Sequence, residues 1–155
     1  MSVGLLKRVS DDLVEAMKAR REMELSAIRM LKAEFQRARA EAGRSSDLSD
    51  DECVAVVQRL IKQRKEAAEQ FAAAGAKDRA EAETNEAVFL ERYLPRQLSE
   101  EELTRIVESA AAGVKAVGPR DMGRVMGAVM NEVKGRADGK RVKAAVQEYL
   151  ESLVS

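Results

Sequence analysis

Apolar residues recur three and four positions apart through most of this chain, the spacing that lines one face of an α-helix. Leu5, Leu6, Val9, Leu13, Ala16 and Met17 make the first stripe, so GLLKRVSDDLVEAMKAR predicts an amphipathic helix. KARREME, largely charged and without Gly or Pro, marks a turn only weakly. A second stripe through Leu25, Ile28, Leu31, Phe35 and Ala38 ends near Gly43, and GRSSDLS reads as a loop from its composition.

Two helix starts are better marked. Ser49 with Glu52, and Ser99 with Glu102, each place a hydroxyl and a carboxylate three residues apart, the spacing of a capping box. Leu48 with Cys53 and Leu98 with Leu103 stand where a hydrophobic staple closes across each cap. From Ser49 a helix is expected to about Gly75, with Val57, Leu60, Ile61, Ala68 and Phe71 on its apolar face. A fourth runs from near Lys77 through Ala80, Thr84, Ala87, Leu90 and Leu94 to Pro95, which lacks an N–H and turns its predecessor away from helix.

Beyond that proline, Leu103, Ile106, Val107, Ala110 and Val114 form a stripe that closes around Gly118. Pro119 suits the first position of the next helix, with Gly118 as its cap. A last helix carries Val142, Val146, Tyr149, Leu150 and Leu153. No segment alternates convincingly and none repeats, so the expected fold is all-α: a bundle of about four helices over residues 1–95, then three helices over 96–155.

Composition narrows the chemistry. The 155 residues carry 27 basic and 27 acidic side chains, so any nucleic-acid or lipid affinity must come from a local patch. No apolar run approaches the roughly 20 residues of a membrane span, and acidic residues interrupt the N-terminus where a signal peptide would stay apolar. A cytoplasmic protein that does not contact membranes is expected. The chain has no histidine and one cysteine, Cys53, which removes the usual metal ligand, the usual neutral-pH base and any internal disulfide. With no CxxC, no GxxxxGK[ST] loop and no Ser-Lys amidase pattern, no catalytic residue, metal site or cofactor is assigned. Cys53 sits in the staple, which favours a buried structural thiol over a reactive one.

The stretch DMGRVMGAVMNEVKGRADGKRV is the least ordinary. Met122, Val125, Met126, Val129, Met130 and Val133 share a face at about 100° per residue, expected to be core. Gly123 and Gly127 fall together on the flank beside Asn131 and Lys134, although each costs roughly 1 kcal/mol relative to alanine in a helix. A close approach to that backbone would compensate, either by another helix of the same bundle or by the phosphate-sugar chain of a nucleic acid. Gly135 is expected to end the helix in a left-handed turn and Asp138 to cap the next. Lys134, Arg136, Lys140, Arg141 and Lys143 then surround a helix N-terminus, a setting that favours phosphate. The candidate binding residues are therefore Gly123, Gly127, Lys134, Gly135, Arg136, Lys140, Arg141 and Lys143. In the N-terminal part, Arg59, Lys62 and Lys65 lie off the apolar face, whereas Arg64 projects into it and needs a carboxylate or carbonyl partner across the bundle.

LSAIRMLKAEF, VVQRLIKQRKEAAEQF, FLERYLPRQLS and the glycine-bearing stretch, in this order, resemble the small bacterial YqeY proteins of the GatB/YqeY group. The likeness covers essentially the whole chain. It implies a C-terminal three-helix domain similar to the tail of GatB, the tRNA-handling subunit of an aminoacyl-tRNA amidotransferase. Gly127, Val129, Met130, Lys134, Gly135, Arg136 and Ala137 match that tail's pattern, which usually continues with Asn-Pro where this chain has Asp138 and Gly139. The resemblance implies a non-catalytic tRNA-binding or amidotransferase-associated module. It also carries the family's label of carbon–nitrogen ligase with glutamine as amido donor, taken here as marking a pathway. Its implied partners are tRNA, an amidotransferase or an aminoacyl-tRNA synthetase. The alternative reading is an adaptor that docks a partner helix without nucleic acid. With 3 Phe, 2 Tyr and no Trp there is little for base stacking, so RNA would be met through shape and phosphates.

Overall fold

The computed structural model describes residues 4–43 and 45–155, and every regular element among them is helical. The chain divides into two compact units, Met1–Leu94 and Pro95–Ser155.

The first unit contains α1 (Leu5–Ala19), α2 (Glu22–Glu41), α3 (Asp50–Ala73) and α4 (Lys77–Leu90). Helix α2 packs on the other three, and α3 lies along α4. Their apolar stripes close over Val9, Ile28, Leu31, Phe35, Val57, Leu60, Leu90 and Tyr93, all buried. The α1–α2 turn is weakly signalled because Arg20, not a glycine, takes the left-handed position at φ 56°. The Arg21 amide then donates to the Ala16 carbonyl at 3.0 Å, satisfying the end of α1. Met17, expected in the core, is 52% exposed. It lies about 100° around α1 from the face that Leu5, Val9 and Ala16 bury.

The fourth helix departs from a single α-helical run. After Leu90 it tightens into a 3-10 turn, Glu91–Tyr93, and Leu94 is extended, the conformation its proline neighbour favours. Phe89, in the last turn of α4, and Tyr93, in the 3-10 turn, lie outside the expected stripe and are core residues. The Tyr93 hydroxyl donates to Asp12 Oδ2 at 2.6 Å, and the Arg8 guanidinium lies 5.2 Å from the centre of its ring.

Arg64 finds the partners that its position demands. Its guanidinium meets Glu83 Oε2 and Glu86 Oε2, each at 3.3 Å, and also touches the Met30 sulfur. Burial raises the Glu86 pKa, Arg64 draws it back down, and Glu83 adds to the rise.

The second unit contains α5 (Glu100–Gly113), a 3-10 turn (Pro119–Asp121), α6 (Met122–Val133) and α7 (Gly139–Ser152). Each of the three α-helices packs on the other two around Leu103, Val107, Val125, Val129, Val133, Val142, Val146 and Leu150. Both serine–glutamate capping boxes form, at Ser49 and at Ser99. The entry to α6 is held by Asp121, whose carboxylate accepts from the Val117 and Gly118 amides and from Arg124. The Val117 amide bond, then Arg124, hold its pKa at about 2.

Candidate functional site around the outer face of α6

Three buried valines, Val125, Val129 and Val133, turn one side of α6 to the core. Successive residues advance about 100°, so Gly123, Gly127 and Lys134 fall on the opposite side. Both glycines are exposed, and a Cβ built on either would meet nothing within 4 Å. The expectation of another helix of the bundle against this strip is overturned: the glycines face open space. Met130, expected in the core, is 39% exposed and borders the same strip, whereas Met122 and Met126 are partly buried and pack against the core.

Beyond α6 the chain turns sharply. Lys134 at φ 41° and Gly135 at φ 85° are both left-handed, and this reverses the chain toward α7. Ala137 tucks into the core between them and α7. The loop is fastened to the segment entering α5: Gln97 Nε2 donates to the Gly135 carbonyl at 2.9 Å and the Leu98 amide to the Arg136 carbonyl at 2.8 Å.

The candidate residues divide accordingly. Arg136 folds back on its own helix, its Nε donating to the Val133 carbonyl at 3.2 Å and its NH2 to the Glu132 carbonyl at 3.0 Å. Arg141 clamps the start of α5, with NH2 at 2.7 Å from Glu100 Oε1 and 2.8 Å from the Leu98 carbonyl. Asp138 caps α7 by accepting from the Arg141 amide at 2.8 Å, so one N–H of that helix terminus already has a partner. These groups hold the corner together. Lys134, Lys140 and Lys143 are exposed, and among the described residues Lys140 and Lys143 form no ion pair. The clamp residues Gln97 and Glu100 escaped sequence reasoning because they meet the loop only through tertiary packing, about forty positions away in sequence.

In the other unit, Arg59 pairs with Glu34 at 3.1 Å and Lys65 with Glu91 at 3.6 Å. Cys53 is fully buried, and burial, reinforced by Asp50, Glu52 and Asp47, pushes its thiol up to about 11. At neutral pH it is protonated. Among the described residues no three His, Cys, Asp or Glu side chains gather as a metal site, and no helix is long and apolar enough to cross a membrane.

Similarity to known proteins extends over the whole of this arrangement. The family model for "Yqey-like protein" matches residues 6–150. Altered inheritance of mitochondria protein 41, mitochondrial, from Pyrenophora tritici-repentis is 32% identical over 150 residues, spanning 94% of this chain and 81% of that protein. A glutamyl-tRNA(Gln) amidotransferase component from Thermococcus gammatolerans is 40% identical over 60 residues, 36% of this chain and 10% of that protein.

Proposed function

The chain belongs to the YqeY-like family, and from that premise we propose that it is a non-catalytic helical module of tRNA-dependent amidation, acting in the cytoplasm and binding the phosphate backbone of a folded RNA. Residues 1–95 and 96–155 are its two domains in this reading. The observation that carries it is the outer face of α6, where exposed Gly123 and Gly127 leave main chain uncovered and lead to Lys134, with the exposed Lys140 and Lys143 on the next helix. Arg136 and Arg141 hold the corner between α6 and α7, and Gly135 supplies its turn. The similarity of 60 residues to part of an amidotransferase supports the RNA reading over other anionic partners.

The test is equilibrium binding of tRNA at two salt concentrations. Each lysine that meets a phosphate contributes about one counterion to the salt dependence, so Lys134→Ala, Lys140→Ala and Lys143→Ala each reduce the slope by roughly one. Gly127→Leu would fill the bare strip and weaken binding. Gly123→Ala and Gly127→Ala sharpen the point, since each stabilises the free protein by about 1 kcal/mol where nothing opposes the new methyl group. Affinity that ignores salt and these substitutions defeats the proposal.

One observation favours the adaptor reading: Met130 lies exposed beside the glycines, and small residues with an adjacent methionine admit a close-packed partner helix. A protein partner that stays bound after RNase treatment, and is lost with Gly127→Leu, would establish it. Amide formation from Glu-tRNA and glutamine by the purified chain alone would overturn the non-catalytic assignment.

A further inference from the structure

A cleft of about 230 Å³ opens in the N-terminal unit between α1, α2 and the segment entering α3. Leu6 and Ser10 lie one turn apart on α1, and Lys32, Phe35, Gln36 and Arg39 share a face of α2. Asp47 and Leu48 complete the lining. Phe35 and Leu48 are buried and Leu6 is half-buried, so the floor is apolar.

The charge in this cleft is unbalanced. Lys32 is half-buried, donates to Ser10 Oγ at 3.1 Å, and forms no ion pair among the described residues. Arg39 reaches Asp47 Oδ1 at 3.4 Å and the Ser45 carbonyl, but Asp47 is 77% exposed at the rim. Among the described lining residues, Lys32 and Arg39 stand with one acid, Asp47, and only Arg39 reaches it. Arg64, also half-buried in the same unit, shows the contrast, because it holds two carboxylates. An ammonium removed from part of its water needs compensation, and a neutral hydroxyl supplies little of it.

The geometry points to a binding site for a small monocarboxylate with a short apolar body: the carboxylate accepts from Lys32 and Ser10, and the hydrocarbon lies on Leu6, Phe35 and Leu48. Lys32 provides the charge-assisted bonds that make such a contact strong. Gln36 adds an amide donor at the edge, and Arg39 adds positive potential that Asp47 partly cancels. This site lies in the other unit from Lys134, Lys140 and Lys143 and does not depend on RNA binding.

The full chain labelled with ¹⁵N, titrated with hexanoate and followed by amide chemical shifts, tests the assignment. Saturable shifts at Leu6, Ser10, Phe35 and Leu48 are expected. Lys32→Met should weaken binding about tenfold by removing the charged donor. Asp47→Asn should tighten it a few-fold by removing a competing carboxylate, which loss of folding would not do. Lys62→Met, at an exposed position of α3 outside the cleft lining, should leave it unchanged. The proposal is overturned if no saturable shift appears at these amides, if hexanol binds as well as hexanoate, or if acetate does. A blocked Leu-Glu dipeptide that outcompetes hexanoate would overturn it in favour of an acidic protein segment.

Discussion

Both units start a helix with the same device, a serine and a glutamate that cap each other, but they are fastened differently around it. The N-terminal unit is tied by bonds between distant positions: Tyr93 to Asp12, the Leu5 amide to Asp50, and Arg64 to Glu83 and Glu86. Its core includes Phe35, Phe89 and Tyr93. The C-terminal core is built from Leu, Val and Ala, with Tyr149 only partly buried against it. Its polar bonds are mostly local, and those between distant positions converge on the segment entering α5, which meets the loop after α6 and the start of α7. A unit that concentrates long-range bonds on one corner can leave a neighbouring helix face bare without losing definition. That is the condition a docking surface needs.

The contrast can be broken most forcefully through the cores. Leu150→Ala is expected to cost the C-terminal unit about 2–5 kcal/mol, as buried leucine truncations do. Amide exchange should show lost protection in α5–α7 while Ile28, Leu31 and Val57 keep theirs. Spread of the loss to those residues would mean the two units unfold as one. Next in size is Arg64→Ala, which strands two half-buried carboxylates and should cost about 2 kcal/mol in urea denaturation. Adding Glu83→Gln and Glu86→Gln should recover part of it. Ser49→Ala and Ser99→Ala should each cost about 1 kcal/mol, since the caps are alike. A large inequality between them would show that one unit leans on its cap more than the geometry implies.

The smallest effect is the response to pH, and its sign differs between units. Glu102 is held at about 2 by its bonds to Arg96 and then Ser99, and Asp121 at about 2 by the Val117 amide and then Arg124. Carboxylates depressed in the folded state stabilise it above their ordinary values near 4, and that contribution disappears as pH falls toward 2. In the N-terminal unit the shifts run upward. The Cys53 thiol moves from 9.0 to about 11 through burial, so its contribution is complete below 9.0 and is lost as pH rises through 11. Burial and the bond to Asp12 raise Tyr93 in the same direction. Glu86, raised by burial, favours the N-terminal unit at low pH. Acid should therefore loosen α5–α7 first and alkali α1–α4, as read by amide protection at each end of the pH range.

Much of this architecture was legible in the order of residues. Helix periodicity is a local property, so the stripes at Ile28, Leu31 and Phe35 or at Val142, Val146 and Leu150 identify core faces without knowledge of what they touch. Capping boxes and left-handed glycines are local too, which is why Ser49, Ser99, Asp138 and Gly135 stand where the pattern puts them. The need of Arg64 for a countercharge was equally readable, because a cation on an apolar face has few alternatives. The identity of its partners was not.

Tertiary packing alone decided the rest. Met17 and Met130 sit at the edge of their apolar stripes, about 100° from the centre of the buried face set by Leu5, Val9 and Ala16 or by Val125, Val129 and Val133, and are exposed. The strip of Gly123 and Gly127, on the side of α6 away from the core, faces open space because no other element among the described residues packs over it. Arg136 and Arg141 became structural clamps, and Lys32 forms no ion pair among the described residues, through distances set by helices that meet only after folding. A sequence determines each helix and its preferred face through local geometry, but coverage and charge pairing depend on contacts between elements, and only the folded chain assigns those.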